Sequence, residues 1–161
     1  MREMFEVVIT AIVAKDDKYL ILQRSLEKKR FPGRWTVPGG HLESRDFIDT
    51  PKETKDYWYN VLEKTLHREV REESGLEISD IEYVTSLATV HDDGALSLVI
   101  SCLAKFESGE IKLPPEETAQ SAWVTLAEAK TYDLIDGIYD ELVMADELRT
   151  GHKHEWSRSK S

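Results

Sequence analysis

The sequence predicts an α/β fold: a mixed β-sheet with one long helix in the middle of the chain and another at its end. Runs rich in Val, Ile and Thr at residues 5–14, 81–91 and 95–106 are typical of strands. Residues 51–74 are predicted to form a helix, because helix-start signals precede them and a glycine follows them. Apolar residues recur at helical spacing over 135–148, which indicates a closing amphipathic helix.

The first part of the chain is predicted to form a hairpin that leads into a glycine turn. Phe5–Ala14 and Tyr19–Gln23 are its strands, and the turn-like segment 15–18 joins them. Trp35–Val37 is a third short strand, which enters the tight turn Pro38-Gly39-Gly40. Three strands of the sheet are therefore expected before residue 38.

The long helix is predicted from its two ends. The segment Thr50-Pro51-Lys52-Glu53 has a capping Thr, Pro at the first helical position and Glu three residues after the cap. Gly75 is a natural helix stop. We therefore predict a helix from about Pro51 to Ser74, either continuous or broken along its length.

The second part of the chain is predicted to add three strands before the closing helix. Ile81–His91 and Ala95–Phe106 are joined through Asp92-Asp93-Gly94, which is typical of a hairpin turn. Ser121–Leu126 is another short strand. The closing helix is expected to follow from Ile135 to about Leu148.

The composition excludes several classes of protein. The chain has 161 residues, with 31 Asp and Glu against 21 Lys and Arg, and its net charge of −10 disfavours nucleic-acid binding. The longest apolar stretch, Val7–Ala14, is far shorter than the roughly 20 residues that cross a bilayer, so no membrane span is expected. A lone Cys102 and the lack of a signal-peptide pattern favour the cytoplasm. We expect one domain over 1–150 and a flexible polar tail over 151–161.

Three acidic residues near the end of the predicted helix indicate a metal site. With about 100° per residue and Leu62 at zero, Glu73 lies at about 20°, Glu69 at about 340° and Glu72 at about 280°. Glu69 and Glu73 thus fall in or beside the apolar stripe, where an unpaired charge is costly. Arg68 alone does not neutralise three carboxylates, whereas Mg²⁺ binds carboxylates together with substrate phosphates. On spacing alone, a solvated acidic helix end stays open as the alternative.

Gly40 and the segment Arg68-Glu69-Val70-Arg71-Glu72-Glu73-Ser74-Gly75-Leu76 together resemble the signature box of the Nudix hydrolases. That box reads Gly, five residues, Glu, seven residues, then Arg-Glu-apolar-x-Glu-Glu-x-Gly-apolar, and its second half matches at every fixed position. The resemblance covers roughly Glu6–Ala129. It implies the Nudix fold, a mixed sheet sandwiched between helices (α/β/α). It also implies that Mg²⁺ or Mn²⁺ supports hydrolysis of a nucleoside diphosphate linked to another group.

The first half of the box departs from the family pattern. Asp46, not Glu, lies six positions after Gly40, and Arg68 follows 22 positions later where the family has eight, so 14 residues are extra. Counting back eight positions from Arg68 reaches Asn60 instead. The extra residues either extend the helix by about four turns or form a looped insertion that leaves Asp46 near the glycine turn. Which residue takes the place of the box glutamate, and how residues 47–60 fold, both stay open.

The resemblance implies a role for each matching residue. Glu69 and Glu73 correspond to the principal metal ligands of the family, and Glu72 corresponds to a further ligand. The carbonyl of Gly39 corresponds to a backbone ligand. Arg68 is expected to orient the glutamates.

The general base is expected to be an acid that reaches the metal-bound water. Glu117 precedes Trp123 by six positions, a spacing common in Nudix chains where that acid enters the site from a loop. Its neighbour Glu116 is an alternative, and Glu72 is another candidate base. The sequence leaves this choice open.

A cluster of basic residues before the glycine turn gives this acidic protein a local positive charge, which could bind a phosphate group. We choose Arg24 and Arg34 from it as candidate substrate-binding residues, with a solvated loop as the alternative. The whole cluster consists of Arg24, Lys28, Lys29, Arg30 and Arg34.

The expected substrate is nucleotide-like, and a nucleoside triphosphate, including a damaged deoxynucleotide, is favoured. The chain lacks the proline beyond the box that is typical of ADP-ribose hydrolases and the tyrosine typical of dinucleoside polyphosphate hydrolases. An ADP-ribose or NDP-sugar hydrolase is the alternative, and a nucleotide-sensing Nudix module without turnover is the alternative of another class. Whether the protein forms a homodimer stays open.

Overall fold

Seven strands and three helices make up the part of the chain that the structure, a computed structural model, describes, residues 2–159. In chain order the elements are β1 (Phe5–Lys15), β2 (Lys18–Arg24), β3 (Trp35–Thr36), β4 (Gly39–His41), a 3-10 turn (Ser44–Asp46), α1 (Val61–Ser74), β5 (Leu76–Val90), β6 (Leu96–Gly109), β7 (Thr118–Val124), α2 (Leu126–Ala129) and α3 (Ile138–Arg149). The predicted α/β fold with its mixed sheet is confirmed.

Strand β1 changes partner along its length, and this splits the sheet. The strand order is β3-β2-β1-β6-β5, with β4 on β1 and β7 on β2. β1 runs parallel to β6 from Phe5 to Ala14. Within residues 2–159, it pairs with β2 only at Ala14 and Lys15, as the predicted hairpin. Further along, Val8–Thr10 pair with β4 instead, so the sheet opens between β1–β4 and β2–β3, with Gly39 at the opening.

A helix covers each face of this sheet, because side chains along β1 alternate between the two faces. Ile9 points to one face and packs with Leu66 and Val70 of α1. Ile12 points to the other face and packs with Leu142 of α3. All five side chains are buried, so the core has two layers and the sheet lies between them.

The predicted start of the long helix is wrong. α1 begins at Val61, ten residues after Pro51, and residues 47–60 form a loop. Asn60 has φ 57°, a left-handed conformation that separates the loop from the helix. Glu53, expected to complete the helix cap, instead accepts a hydrogen bond from the backbone N–H of Tyr59 and pairs with Lys64. The looped alternative is therefore the one adopted, and Asp46 stays next to the glycine turn.

Element boundaries differ at three further places. β5 begins at Leu76, directly after Gly75, and not at Ile81. β7 begins at Thr118, and not at Ser121. α3 begins at Ile138 rather than Ile135. The predicted stop at Gly75 is confirmed, because this glycine ends α1 with φ 79°.

The segment after α3 carries no helix or strand within the described residues, but it contacts α3. Arg158 and Ser159 both hydrogen-bond to the carboxylate of Asp140. The predicted flexibility of the tail stays a prediction, and its residues 160 and 161 lie outside the described range. None of the helices within residues 2–159 has the length and apolar character needed to span a membrane.

Candidate active site

The predicted acidic site lies at the opening of the sheet, against the last turns of α1. Glu73 is partly buried there, and its carboxylate accepts a hydrogen bond from the backbone N–H of Gly39. The N–H of Gly39 is thus the group seen to contact Glu73, and the predicted role of its carbonyl as a metal ligand stays a prediction.

The glycine turn lets a carboxylate approach the backbone. A Cβ on Gly40 would overlap the carboxyl group of Glu69, and a Cβ on Gly39 would overlap the backbone of Ile9 and Thr10. Glu69 is only 9% exposed, as its place on the apolar stripe predicts. The two glycines therefore create the space in which the end of α1 meets β4 and β1.

Burial raises the proton affinity of both Glu69 and Glu73. Burial raises the pKa of Glu73 to about 8, and the charge of Glu69 raises it further in the same direction. Burial also raises the pKa of Glu69, although Arg68 opposes this shift. Among the described residues, Glu73 makes no ion pair with Lys, Arg or His. A negative charge at Glu73 therefore has no ion-pair partner within residues 2–159, although the charge of Arg24 lowers the pKa of Glu73.

Arg68 organises the acids on its side of α1. It donates to Oε1 of Glu69 at 2.8 Å, to Oε2 of Glu72 at 3.0 Å and to the backbone oxygen of His41 at 3.0 Å. It also makes a two-pronged contact with Asp46. This agrees with the expected orienting role, which stays a prediction as far as catalysis is concerned.

Asp46 occupies the position facing Arg68, and Asn60 does not. The Asp46 side chain is 1% exposed, and burial alone would raise its pKa. Hydrogen bonds from Arg68, from the backbone N–H of Glu43 and from Thr65 Oγ1 instead hold the pKa of Asp46 at about 2. Thr65 is fully buried, and the sequence reading missed it. Its signal was the spacing of three residues before Arg68, which places both side chains on one side of α1.

Arg24 and Glu117 complete the rim of the opening. The Arg24 guanidinium donates to the backbone oxygen of Arg30 at 2.8 Å. Burial lowers the pKa of Arg24, while the charges of Glu73 and Glu117 oppose that shift, so both acids lie near it. Glu117 forms an ion pair with Lys28. The predicted candidates Arg24, Glu117 and Glu73 are thus brought together, and Lys28 joins them although it was not chosen from the basic cluster.

Two further predicted site residues, Arg34 and Glu72, make contacts other than those described so far. The Arg34 guanidinium donates to the backbone oxygen of Leu134 at 2.6 Å and pairs with Asp133 at 3.1 Å, outside the acidic cluster. Glu72 is 45% exposed and contacts Arg68 and Arg45. Their roles in substrate binding, metal binding or proton transfer stay predictions.

The donor set suits a hard divalent cation, although the side chains do not converge on one. Within residues 2–159, no three His, Cys, Asp or Glu side chains already surround a metal position. Arg68 forms ion pairs with Glu69 and Glu72, and Lys28 forms one with Glu117. Glu73 lacks such a partner, and its raised pKa is the shift that a nearby cation reverses. Carboxylate oxygens are the ligands that Mg²⁺ prefers, so the residues present fit this ion in type and charge.

A family comparison agrees with the fold. The model of the Nudix domain matches residues 4–143. This chain therefore belongs to the Nudix family, and the predicted resemblance is confirmed.

The relatives define what this chain is similar to. It is 29% identical over 115 residues to the NAD-capped RNA hydrolase NudC of Escherichia coli O1:K1, a match that covers 71% of this chain and 37% of NudC. The chain thus spans about a third of the length of the curated relatives that it matches.

Two solved structures share the fold. A MutT Nudix hydrolase from Burkholderia pseudomallei has a TM-score of 0.69 at 19% identity, with 88% of this chain and 98% of that chain covered. The Nudix domain of Shewanella oneidensis NrtR, solved with ADP ribose, has a TM-score of 0.65 at 19% identity, with 93% and 90% covered.

Proposed function

We propose that this protein is a Nudix hydrolase that cleaves a phosphoric anhydride bond of a nucleotide by attack of water on phosphorus. The observation that carries this proposal is the pair of acids at the opening of the sheet beside Gly39 and Gly40. Glu69 is buried, and Glu73 is partly buried and makes no ion pair among the described residues. Such a costly arrangement is expected where a bound cation compensates it.

Glu69, Glu73 and Glu72 would hold Mg²⁺, or Mn²⁺, with the Gly39 carbonyl as a backbone ligand. When bound, the metal supplies charge neutralisation of the phosphates and a more acidic attacking water. Arg68 keeps Glu69 and Glu72 in place through its two hydrogen bonds. Because Arg68 does not bond to Glu73, the Glu73 carboxylate can bind the metal without first breaking an ion pair.

Glu117 is the group we assign as general base, because its carboxylate reaches the rim of the opening from the loop before β7. It accepts the proton of the attacking water once its contact with Lys28 opens. Arg24 binds the phosphate chain from the same rim, and Lys28 is released to join it.

We propose a nucleoside triphosphate as the substrate, which the missing ADP-ribose and dinucleotide signals support. ADP-ribose is the first alternative, since the structurally similar NrtR domain was solved with it. An NDP-sugar is a further alternative. The proposed partner is a nucleotide-type small molecule, with no membrane and no nucleic acid, and the proposed location is the cytoplasm. A homodimer stays a prediction.

The test is a panel of nucleoside triphosphates, ADP-ribose, NAD and NDP-sugars, assayed with and without Mg²⁺, with product analysis in ¹⁸O water. We expect Mg²⁺-dependent turnover of triphosphates, with one ¹⁸O atom in one phosphate product. Faster turnover of ADP-ribose or an NDP-sugar would reassign the substrate class. No turnover on the whole panel would overturn the hydrolase.

The second candidate is a nucleotide-binding module without turnover. It is favoured by the engagement of Glu69, Glu72 and Glu117 with Arg68 and Lys28. Calorimetry with the same panel separates the two, because a binding module gives a dissociation constant without product. Any Mg²⁺-dependent turnover that Glu73→Gln abolishes rules this candidate out.

A further inference from the structure

One acid outside the cluster on α1 joins three separate segments of the chain. Glu6 lies on β1, and its carboxylate accepts hydrogen bonds from Nη1 of Arg30 at 3.1 Å and from Nε2 of His41 at 3.3 Å. It accepts a third hydrogen bond from Oγ of Ser97 at 2.9 Å. Arg30 belongs to the loop between β2 and β3, His41 ends β4, and Ser97 lies on β6. A single carboxylate thus connects this loop to two strands besides its own.

The contacts of Glu6 suit an ionised carboxylate. Hydrogen bonds from Arg30, Ser97 and His41 hold the pKa of Glu6 at about 2, so the side chain is charged at neutral pH. A charged carboxylate only accepts hydrogen bonds, and these three side chains can all donate. Ser97 is 2% exposed, and its hydroxyl also lies 2.8 Å from Nε2 of His91. Ser97 therefore gives the Glu6 carboxylate a fixed point on the sheet.

Arg30 carries this anchoring into the loop of residues 25–34. No helix or strand runs through these residues, so side-chain contacts such as that of Arg30 with Glu6 decide where the loop lies. The guanidinium of Arg30 also approaches Asp93, at 3.5 Å, but the Asp93 side chain is 68% exposed. Exposed ion pairs are weak, so Glu6 is the main ionic anchor of Arg30.

The backbone of Arg30 in turn holds Arg24, the residue proposed to bind the phosphates. Nε of Arg24 donates to the carbonyl oxygen of Arg30 at 2.8 Å. Within residues 2–159, no protein group accepts a hydrogen bond from the other two guanidinium nitrogens of Arg24, Nη1 and Nη2. The bond to Arg30 therefore sets the direction of the guanidinium plane and leaves two nitrogens for a phosphate group.

The same carboxylate contacts the residue that supports Arg68. The carbonyl oxygen of His41 accepts a hydrogen bond from Arg68 at 3.0 Å. His41 and Arg30 thus each hold a site arginine by a backbone oxygen and bond to Glu6 by a side chain. The backbone of β4 is already paired with β1, whereas the loop of residues 25–34 has no strand partner. The loop therefore depends on Glu6 more than β4 does.

We propose that Glu6 is a positioning residue for substrate binding, which anchors Arg30 and thereby orients the Arg24 guanidinium toward the phosphate chain. Glu6 itself touches neither the substrate nor the metal. Without the anchor, Arg24 keeps its charge but adopts more orientations, so the phosphates are bound less tightly in the ground state and in the transition state alike. This inference rests on the proposed function, since Arg24 is the phosphate-binding residue of that proposal.

The test is a double-mutant cycle of Glu6→Gln and Arg24→Gln, assayed with the substrate of the panel above that has the highest kcat/KM. Glu6→Gln should raise KM about 10-fold, as expected for loss of one well-oriented charge-assisted contact. Its kcat should stay within about threefold of wild type. Arg24→Gln should raise KM at least as much. Because Glu6 acts through Arg24, adding Glu6→Gln to Arg24→Gln should change KM by less than about twofold.

Two further variants serve as a second test and a control. Arg30→Gln removes the same ion pair from its other side, so it should raise KM by the same factor even if Glu6→Gln does not fold. Asp93→Asn removes the other acid near Arg30 and leaves Glu6 in place, so KM should stay within about twofold of wild type. A partly folded variant has fewer active molecules, which lowers the apparent kcat and leaves KM unchanged. A rise in KM therefore separates positioning from a purely structural role.

Two results would overturn the inference. One is an unchanged KM in the folded variants that lack the ion pair, Glu6→Gln and Arg30→Gln. The other is an equal rise in KM from Glu6→Gln in the presence and in the absence of the Arg24 side chain, because Glu6 would then act independently of Arg24.

Binding measurements separate this inference from the proposed function. Calorimetry with ATP and with ADP-ribose, each in the presence of Mg²⁺, uses the same proteins and requires no turnover. A dissociation constant that Glu6→Gln raises only while Arg24 is present, without turnover of any panel substrate, would refute the hydrolase and support the positioning role. Turnover with the same KM in wild type, Glu6→Gln and Arg30→Gln would do the reverse.

Discussion

Asp46 contacts helix α1 and Glu73 belongs to it, yet the proton affinities of these two carboxylates shift in opposite directions. Hydrogen bonds from Arg68, Glu43 and Thr65 hold the pKa of Asp46 at about 2 despite its burial. Burial and the nearby Glu69 raise the pKa of Glu73 to about 8. The difference separates two tasks: the paired acid anchors the start of the site to α1, and the unpaired acid is left available for a ligand.

The largest expected effect comes from the unpaired acid. Glu73→Gln should lower turnover about a thousandfold, because loss of a metal ligand removes several kcal/mol of transition-state stabilisation. The stability of the variant should be equal to or above that of wild type, since the site disfavours the charged form of Glu73 and glutamine is neutral at every pH. Steady-state kinetics and urea unfolding measure the two quantities. Glu63→Gln on the same helix is the control, and unchanged turnover and metal affinity in Glu73→Gln would refute the site assignment.

The paired acid should show the opposite behaviour in stability. Asp46→Ala leaves Arg68 without its main partner, so we expect the free energy of unfolding to fall by about 4 kcal/mol, as when one partner of a buried ion pair is removed. Urea unfolding measures this loss, with the exposed loop residue Asp49→Ala as the control. A loss below about 1 kcal/mol would show that the pair behaves like an exposed salt bridge.

Glu141 sharpens the comparison, because it is buried like Glu73 but lies away from the other glutamates. Its pKa is 4.5 in an unfolded chain and about 7 in the folded protein. As the pH rises through this window, the unfolded chain releases the proton first, so the folded state loses stability, by about 3 kcal/mol in total. In Glu141→Gln this loss should be absent.

Unfolding free energies from pH 4.5 to 7.5 measure the effect as the growing advantage of Glu141→Gln over wild type. The exposed Glu110→Gln serves as the control. A difference between variant and wild type that stays constant with pH would mean that burial does not raise the pKa of Glu141.

The smallest expected effect concerns the acid that pairs with a lysine at the surface. Glu117→Gln should lower turnover about a hundredfold, which is the low end for loss of a general base. Stability should change by less than about 1 kcal/mol, because the ion pair with Lys28 is exposed. The adjacent Glu116→Gln is the matched control. If both variants keep full activity, the base must be sought elsewhere, with Glu72 next.

The sequence predicted the fold well where local and global signals agree. The apolar stripe of α1 placed Glu69 and Glu73 against the sheet, and both are withdrawn from solvent. Capping signals misplaced the start of α1, because Lys52, Glu53 and their neighbours offer no apolar face to bury. The first residues of β5 were missed because the strand is irregular at Asp80. This residue has φ 51°, and the register with β6 shifts there, so the alternation of side chains is interrupted.

The residue types of the candidate site were predictable from the sequence, and the contacts between them were less so. The spacing from Arg68 to Leu76 identifies the acids of the helix. The hydrogen bond from Thr65 to Asp46 joins residues 19 positions apart, and the ion pair of Lys28 with Glu117 joins residues 89 positions apart. Such contacts depend on the folding of a loop and on the order of strands, which a single sequence does not specify.

The anchoring of Asp46 has a consequence for the loop 47–60. One end of this loop is fixed by the contacts of Asp46 with Thr65 and Arg68, and the other end by the first turn of α1 at Asn60. Closing a longer loop costs only about 0.6 kcal/mol for each doubling of its length. The loop is therefore a natural place to insert a reporter domain or to open new chain termini by circular permutation.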